Sequence, residues 1–126
     1  MNYAAFLSYF RQRIDHKTEW TSADSKDRPN DPIYDDQMKE FANEFKNSED
    51  YDPHYCQTLR SAEIVPKVDH ETMGEVMLAD NARLTKAMLS MIINGEKLHK
   101  GTWADALREG FFFQLLSALC PATVIA

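Results

Sequence analysis

The sequence predicts an all-α protein, a single-domain orthogonal helical bundle of about five or six helices with at most a minor short β pairing. Three observations carry that expectation. Apolar residues recur at three- and four-residue spacing through most of the chain, the period of a helix buried on one face. The intervals between these stretches are mostly short and hold Gly, Pro, Asn or Asp, residues that stop and start helices. The most strand-like run, Ile64-Val65-Pro66-Lys67-Val68, contains a proline that excludes it from the centre of a sheet.

The organising stretch is Asp80 to Leu119. Asp80 is a good N-cap, since its carboxylate can accept from the free N–H groups of a first turn. Leu84, Met88, Met91 and Ile92 follow at the spacing of one buried face. Asn94-Gly95 is expected to end this helix, because Gly takes the left-handed position without a Cβ penalty. Glu96 to Lys100 then reads as a turn or short extended piece carrying Leu98 inward, able to pair with 64–68 at an edge. Thr102-Trp103-Ala104-Asp105 resembles a capping box, with Asp in place of Glu, opening a short helix to Glu109. After Gly110 a last helix places Phe112, Leu115, Leu116 and Leu119 on one face. Phe111 and Phe113 lie about 100° to either side of Phe112. An apolar arc that wide is either deeply buried or partly an interface, and Pro121 stops the helix.

The remainder follows the same logic. Asn2 to His16 reads as a helix whose Tyr3, Phe6, Leu7, Phe10 and Ile14 make a core stripe. Residues 17–32 form a long polar loop in which Trp20 alone is large and apolar; its indole is expected to pack back on the body, with a ligand-facing role as the alternative. Ile33 to Asn47 is a helix with Tyr34, Met38, Phe41 and Phe45 inward and Asp36, Glu40 and Glu44 outward. Asp52 and Pro53 suit an N-cap and first position of a helix to about Glu63, with Tyr55, Leu59 and Ala62 inward. Asp69 caps a short helix through Leu78, and His70-Glu71 reads as surface. The uncharged tail, Pro121 to Ala126, is expected to dock on the body or on a second subunit.

Composition narrows the function classes. The chain has 126 residues, 44% hydrophobic and 27% charged, and a net charge of −6. That suits one globular domain and disfavours direct nucleic-acid binding, where Lys and Arg supply the affinity. Cys56 and Cys120 read as two reduced thiols rather than a disulfide, and no leader or membrane-spanning run is apparent, so a cytoplasmic location is expected. No Gly-rich phosphate loop, nucleophile elbow or metal-ligand spacing occurs. The expectation is therefore no catalytic residue, no cofactor and no metal.

Leu84, Met88, Gly95, Glu96, Lys97, Leu98, Gly101, Trp103, Gly110, Leu115 and Leu116 carry a resemblance. With them, residues 80–119 are similar to the C-terminal part of a bacterial family of small proteins of unknown function. Its pattern runs Leu-x-x-x-Leu into Gly-Glu-basic-Phe-x-x-Gly-x-(aromatic or apolar), then a Gly and a Leu-Leu pair. Leu98 stands where that family tends to have an aromatic. The resemblance implies a small, mainly helical domain and no activity.

The functional expectation is a non-enzymatic protein-interaction or regulatory module, self-associating as a homodimer or binding a protein partner. Its candidate surface is Phe111, Phe113, Val124 and Ile125 with the acidic residues Asp36, Glu40 and Glu44. Residues 31–52 hold eight acids and two bases, which motivates an alternative: an acidic mimic that occupies a nucleic-acid-binding protein. The remaining alternative is an enzyme whose site gathers His54, His70 and His99 with nearby acids.

Overall fold

In the computed structural model, which describes residues 1–120, seven helices follow one another. They are α1 (Ala4–Gln12), α2 (Asp36–Lys46), α3 (Tyr55–Ser61), α4 (His70–Ala79), α5 (Ala82–Leu98), α6 (Thr102–Arg108) and α7 (Phe111–Leu119). The all-α class holds; the helices number seven rather than five or six, because each stretch with helical spacing forms a separate helix. Among the described residues there is no strand, only one antiparallel bridge between Trp20 and Pro32. The expected pairing of 64–68 with the Leu98 segment is absent because that segment is helical.

The core forms around α5, which packs against α2, α3, α4, α6 and α7, while α1 closes the bundle against α2 and α7. Phe10 stacks on Phe112 at 4.9 Å and meets Phe41 edge-on at 4.9 Å, and Phe6 meets Phe41 at 5.1 Å. These offset and edge contacts are the arrangements aromatic quadrupoles favour. They tie α1, α2 and α7 together.

Several boundaries differ from expectation for identifiable reasons. α1 stops at Gln12 rather than His16, since Asp15 turns left-handed (φ 64°) and its N–H donates to the Arg108 carbonyl at 2.9 Å. α2 starts at Asp36 because Ile33 N–H is held by the Glu19 carbonyl at 2.7 Å, closing the neck of the long loop. Asp52 sets up α3 from outside it: its carboxylate accepts from His54 N at 2.8 Å and from Thr58 Oγ1 at 2.5 Å. α3 ends before Ala62, which is exposed. Asp69 caps α4 through Thr72 N at 2.8 Å, as expected.

Asp80 is not the N-cap of α5. It takes the left-handed turn after α4 (φ 46°), and Asn81 caps instead, its Oδ1 accepting from Arg83 N at 2.9 Å and Leu84 N at 3.3 Å. Nor does Asn94-Gly95 end α5. Gly95 is helical and buried, and a Cβ there would lie 3.0 Å from the Thr102 methyl, so its glycine serves a close approach of α6. The helix runs on to Leu98, which is exposed rather than inward. Thr102 makes no capping box: Gly101 (φ 96°) is the N-cap, and the Thr102 hydroxyl donates to the His99 carbonyl at 2.6 Å. Glu96 takes over that task. Its Oε2 accepts from Gly101 N at 3.0 Å and its Oε1 from Trp103 N and the Tyr34 hydroxyl, both at 2.9 Å.

Candidate interaction surface

Of the expected apolar interface, Phe111 belongs to the core. Phe111 is 3% exposed, with the His70 ring edge-on at 4.9 Å from α4, so it offers no free surface. Phe113 is half-buried against the same core. Val124 and Ile125, like the docking expected of the tail, lie outside the described residues.

The acidic run between residues 31 and 52 divides in two. Asp31 pairs with Lys100 and with Arg28 at 3.1 Å. Asp35 accepts from the Tyr9 hydroxyl at 3.0 Å. Asp50 accepts from the Tyr3 hydroxyl at 2.5 Å and pairs with Lys86 at 3.0 Å, while Asp52 is engaged at α3. These four are structural. Asp36, Glu40, Glu44 and Glu49 are exposed and make no ion pair among the described residues. On α2 the acids Asp36, Glu40 and Glu44 occupy an arc of about 80°, and Lys39, Asn43 and Lys46 an adjacent arc of about 60°. The outer face of α2 is thus split between the two signs, which narrows the anionic surface a mimic would present.

The three histidines are scattered. His54 lines a polar cleft of about 730 Å³ with Glu49, Asp50, Gln57, Arg83 and Lys86. There Asp50 and Asp52 already serve the fold. His70 pairs with Glu109 at 2.8 Å on the surface, and this bond from His70 holds the Glu109 carboxyl below its ordinary range. His99 lines a separate groove. Among the described residues no three His, Cys, Asp or Glu side chains gather as a metal site requires. Cys56 and Cys120 are both free thiols; burial pushes that of Cys120 up.

The surface missed from sequence is the His99 groove, about 440 Å³ between α3, residues 66–68 and the end of α5. Tyr55, Cys56, Pro66, Val68, Met91 and Leu98 make it largely apolar, and Lys67 and Asp105 lie on its rim. Leu98 is 67% exposed, and Val65, in the segment forming the opposite wall, is 61% exposed. The signal was available: Met91, Gly95 and Leu98 follow at i, i+4 and i+7, one helical face. A helix end at Gly95 would hide that face.

No protein-family model, no curated protein and no solved structure matches this chain. No helix among the described residues is long and apolar enough to cross a membrane.

Proposed function

We propose that this protein is a non-enzymatic binding module whose docking surface is the groove along Met91, Gly95 and Leu98, and that its occupant is a second copy of the chain. The observation that carries this reading is Leu98: a leucine 67% exposed, on the rim of a groove lined by apolar side chains. A large apolar side chain beside its own groove suits an isologous contact. A two-fold axis near Leu98 places each leucine in the other copy's groove and closes the assembly, whereas a knob far from its groove would build open chains. Lys67 and Asp105 on the rim carry opposite signs, so the same axis can bring unlike charges together. Burying one leucine is worth roughly 1.5–3 kcal/mol, and the axis doubles it. Against the freedom lost on association, the result is a weak, concentration-dependent dimer. A cytoplasmic setting belongs to the same proposal, since two unpaired thiols suit a reducing compartment.

Sedimentation velocity over a wide concentration range tests it. The wild-type chain should move from monomer towards dimer, and Leu98→Glu should remain monomeric with an unchanged thermal midpoint, because the site is already solvated. A wild-type chain monomeric at every concentration would end the self-docking reading.

A further inference from the structure

A second groove, independent of the first, lies between α2 and α5. It is open to solvent, has a volume of about 330 Å³ and is lined by Lys39, Asn43, Lys46, Lys97, Ala42, Ile93, Trp103 and Glu96. The lining divides into a cationic rim and an apolar floor. Lys39 and Lys46 come from the basic flank of α2, and Lys97 from the last turn of α5. None of the three has a carboxylate partner among the described residues, although acids outnumber bases 20 to 14 in the chain. Glu96, the only acid of the lining, is turned to α6 and satisfied by Gly101 N, Trp103 N and the Tyr34 hydroxyl. Asn43 Oδ1 accepts from Asn47 Nδ2 at 3.2 Å, which leaves the Asn43 amide N–H groups free to donate.

The lysines at the ends of α2 and α5 each suit the negative pole of a helix dipole. That accounts for one cation per helix end. It does not account for two ammonium groups placed beside each other, where each raises the cost of the other's charge: Lys97 pushes the Lys46 ammonium below its ordinary pKa, with burial adding to it. An anion between them removes that repulsion. Below the cations the half-buried Trp103 indole supplies the apolar surface, Ala42 and Ile93 being core residues 6% and 4% exposed, and the Trp103 Nε1–H is already spent on the Ile92 and Ile93 carbonyls at 3.2 Å. The indole therefore contributes a ring rather than a donor.

We propose that the α2–α5 groove binds a small aromatic oxyanion, a phosphate or carboxylate carried on a ring. The oxyanion is held by Lys46, Lys97 and Lys39 with the Asn43 amide, and the ring lies on the Trp103 indole. The groove has room for one ring with its head group.

The test is an amide NMR titration with phenyl phosphate, and with inorganic phosphate alone, in low-salt buffer, since at 0.15 M the screening length is only about 8 Å. Phenyl phosphate should shift amides of residues 39–46 and 93–103 selectively. Inorganic phosphate should bind at least about tenfold more weakly, the equivalent of about 1.4 kcal/mol from the floor. Lys46→Met and Lys97→Met should each weaken phenyl phosphate by a similar factor while leaving the helical circular dichroism unchanged, both positions being exposed. Absence of groove shifts at millimolar phenyl phosphate would overturn the proposal. So would shifts that survive in the Lys46→Met/Lys97→Met double variant, or equal binding of both probes, which would leave a bare pair of surface charges.

Discussion

Glu96 is the residue on which the local architecture turns. One carboxylate takes two backbone N–H groups at the start of α6 and the hydroxyl of Tyr34 from the segment before α2. Tyr34 Oη in turn accepts from Ala104 N at 3.2 Å. Burial, then the bond to Glu96, drives the Tyr34 hydroxyl far above its ordinary pKa, so it stays a donor at any working pH. Hydrogen bonds to a charged group contribute roughly 1.5–3 kcal/mol each. Glu96→Ala should therefore cost about 2–3 kcal/mol by urea denaturation after partial replacement by water, and Tyr34→Phe about 1 kcal/mol. The double variant should cost clearly less than the sum. Strict additivity would show that the two groups do not act together. Asp50 is held by two groups, the Tyr3 hydroxyl and the Lys86 ammonium. Burial pushes its carboxyl up, but the Tyr3 hydroxyl and the Lys86 ammonium outweigh burial and hold it below its ordinary range. A carboxyl depressed on folding contributes stability that is complete above the unfolded pKa, about 4. That stability disappears as pH falls through the folded value, because the unfolded chain then binds more protons. Urea midpoints followed from pH 7 to pH 2 should fall steeply below pH 4 in wild type. Asp50→Asn should start lower and fall less, the two curves converging in acid; parallel curves would remove Asp50 from the acid response.

At the scale of elements, the junction between α5 and α6 is where sequence and structure part most. Gly101 holds φ 96°, and a Cβ there would meet Trp20 Cη2 and Cζ2 at 3.0 Å. Gly101→Ala should therefore cost roughly 1–2 kcal/mol for the left-handed backbone alone. The contact adds to it, and Trp20→Ala in the same chain should recover the added part. If Gly101→Ala is neutral by thermal denaturation, the turn is not fixed as described. Helical stretches and core stripes were legible, because periodicity reports which face is buried: Phe6, Phe10, Met38, Phe41, Phe45 and Leu84 are all core. Caps were less so. Asp80 and Asn81 are both short and polar, and only tertiary packing decides which takes the left-handed turn and which the cap. Gly95 illustrates the deeper limit. A glycine that ends a helix and one that admits a neighbouring side chain are alike in sequence; what separates them is the Thr102 methyl, seven residues further on. That ambiguity concealed Leu98, while the wide apolar arc of α7 pointed to Phe111, a core residue. The outward acids of α2 were legible because helical spacing alone places them opposite the stripe.

At the scale of the whole molecule, the position of α5 determines how the protein should unfold. Ten of its seventeen residues are buried, and five other helices pack on it. No helix pair is left with a core of its own, since the aromatic cluster of α1, α2 and α7 closes over α5 rather than apart from it. A chain arranged in this way should unfold in one cooperative transition, as small single domains usually do. Leu89 sits at the centre of α5 and is fully buried. Leu89→Ala should cost about 2–5 kcal/mol through lost transfer energy and the cavity left behind. That loss should be felt everywhere at once. In a Trp20→Phe background the fluorescence reports Trp103 alone, at the α5–α6 contact, while far-UV circular dichroism reports all helices. The two urea midpoints should coincide before the Leu89 substitution and shift together after it. Separated midpoints would mean that part of the bundle melts independently of α5, and the single-core account would then fail.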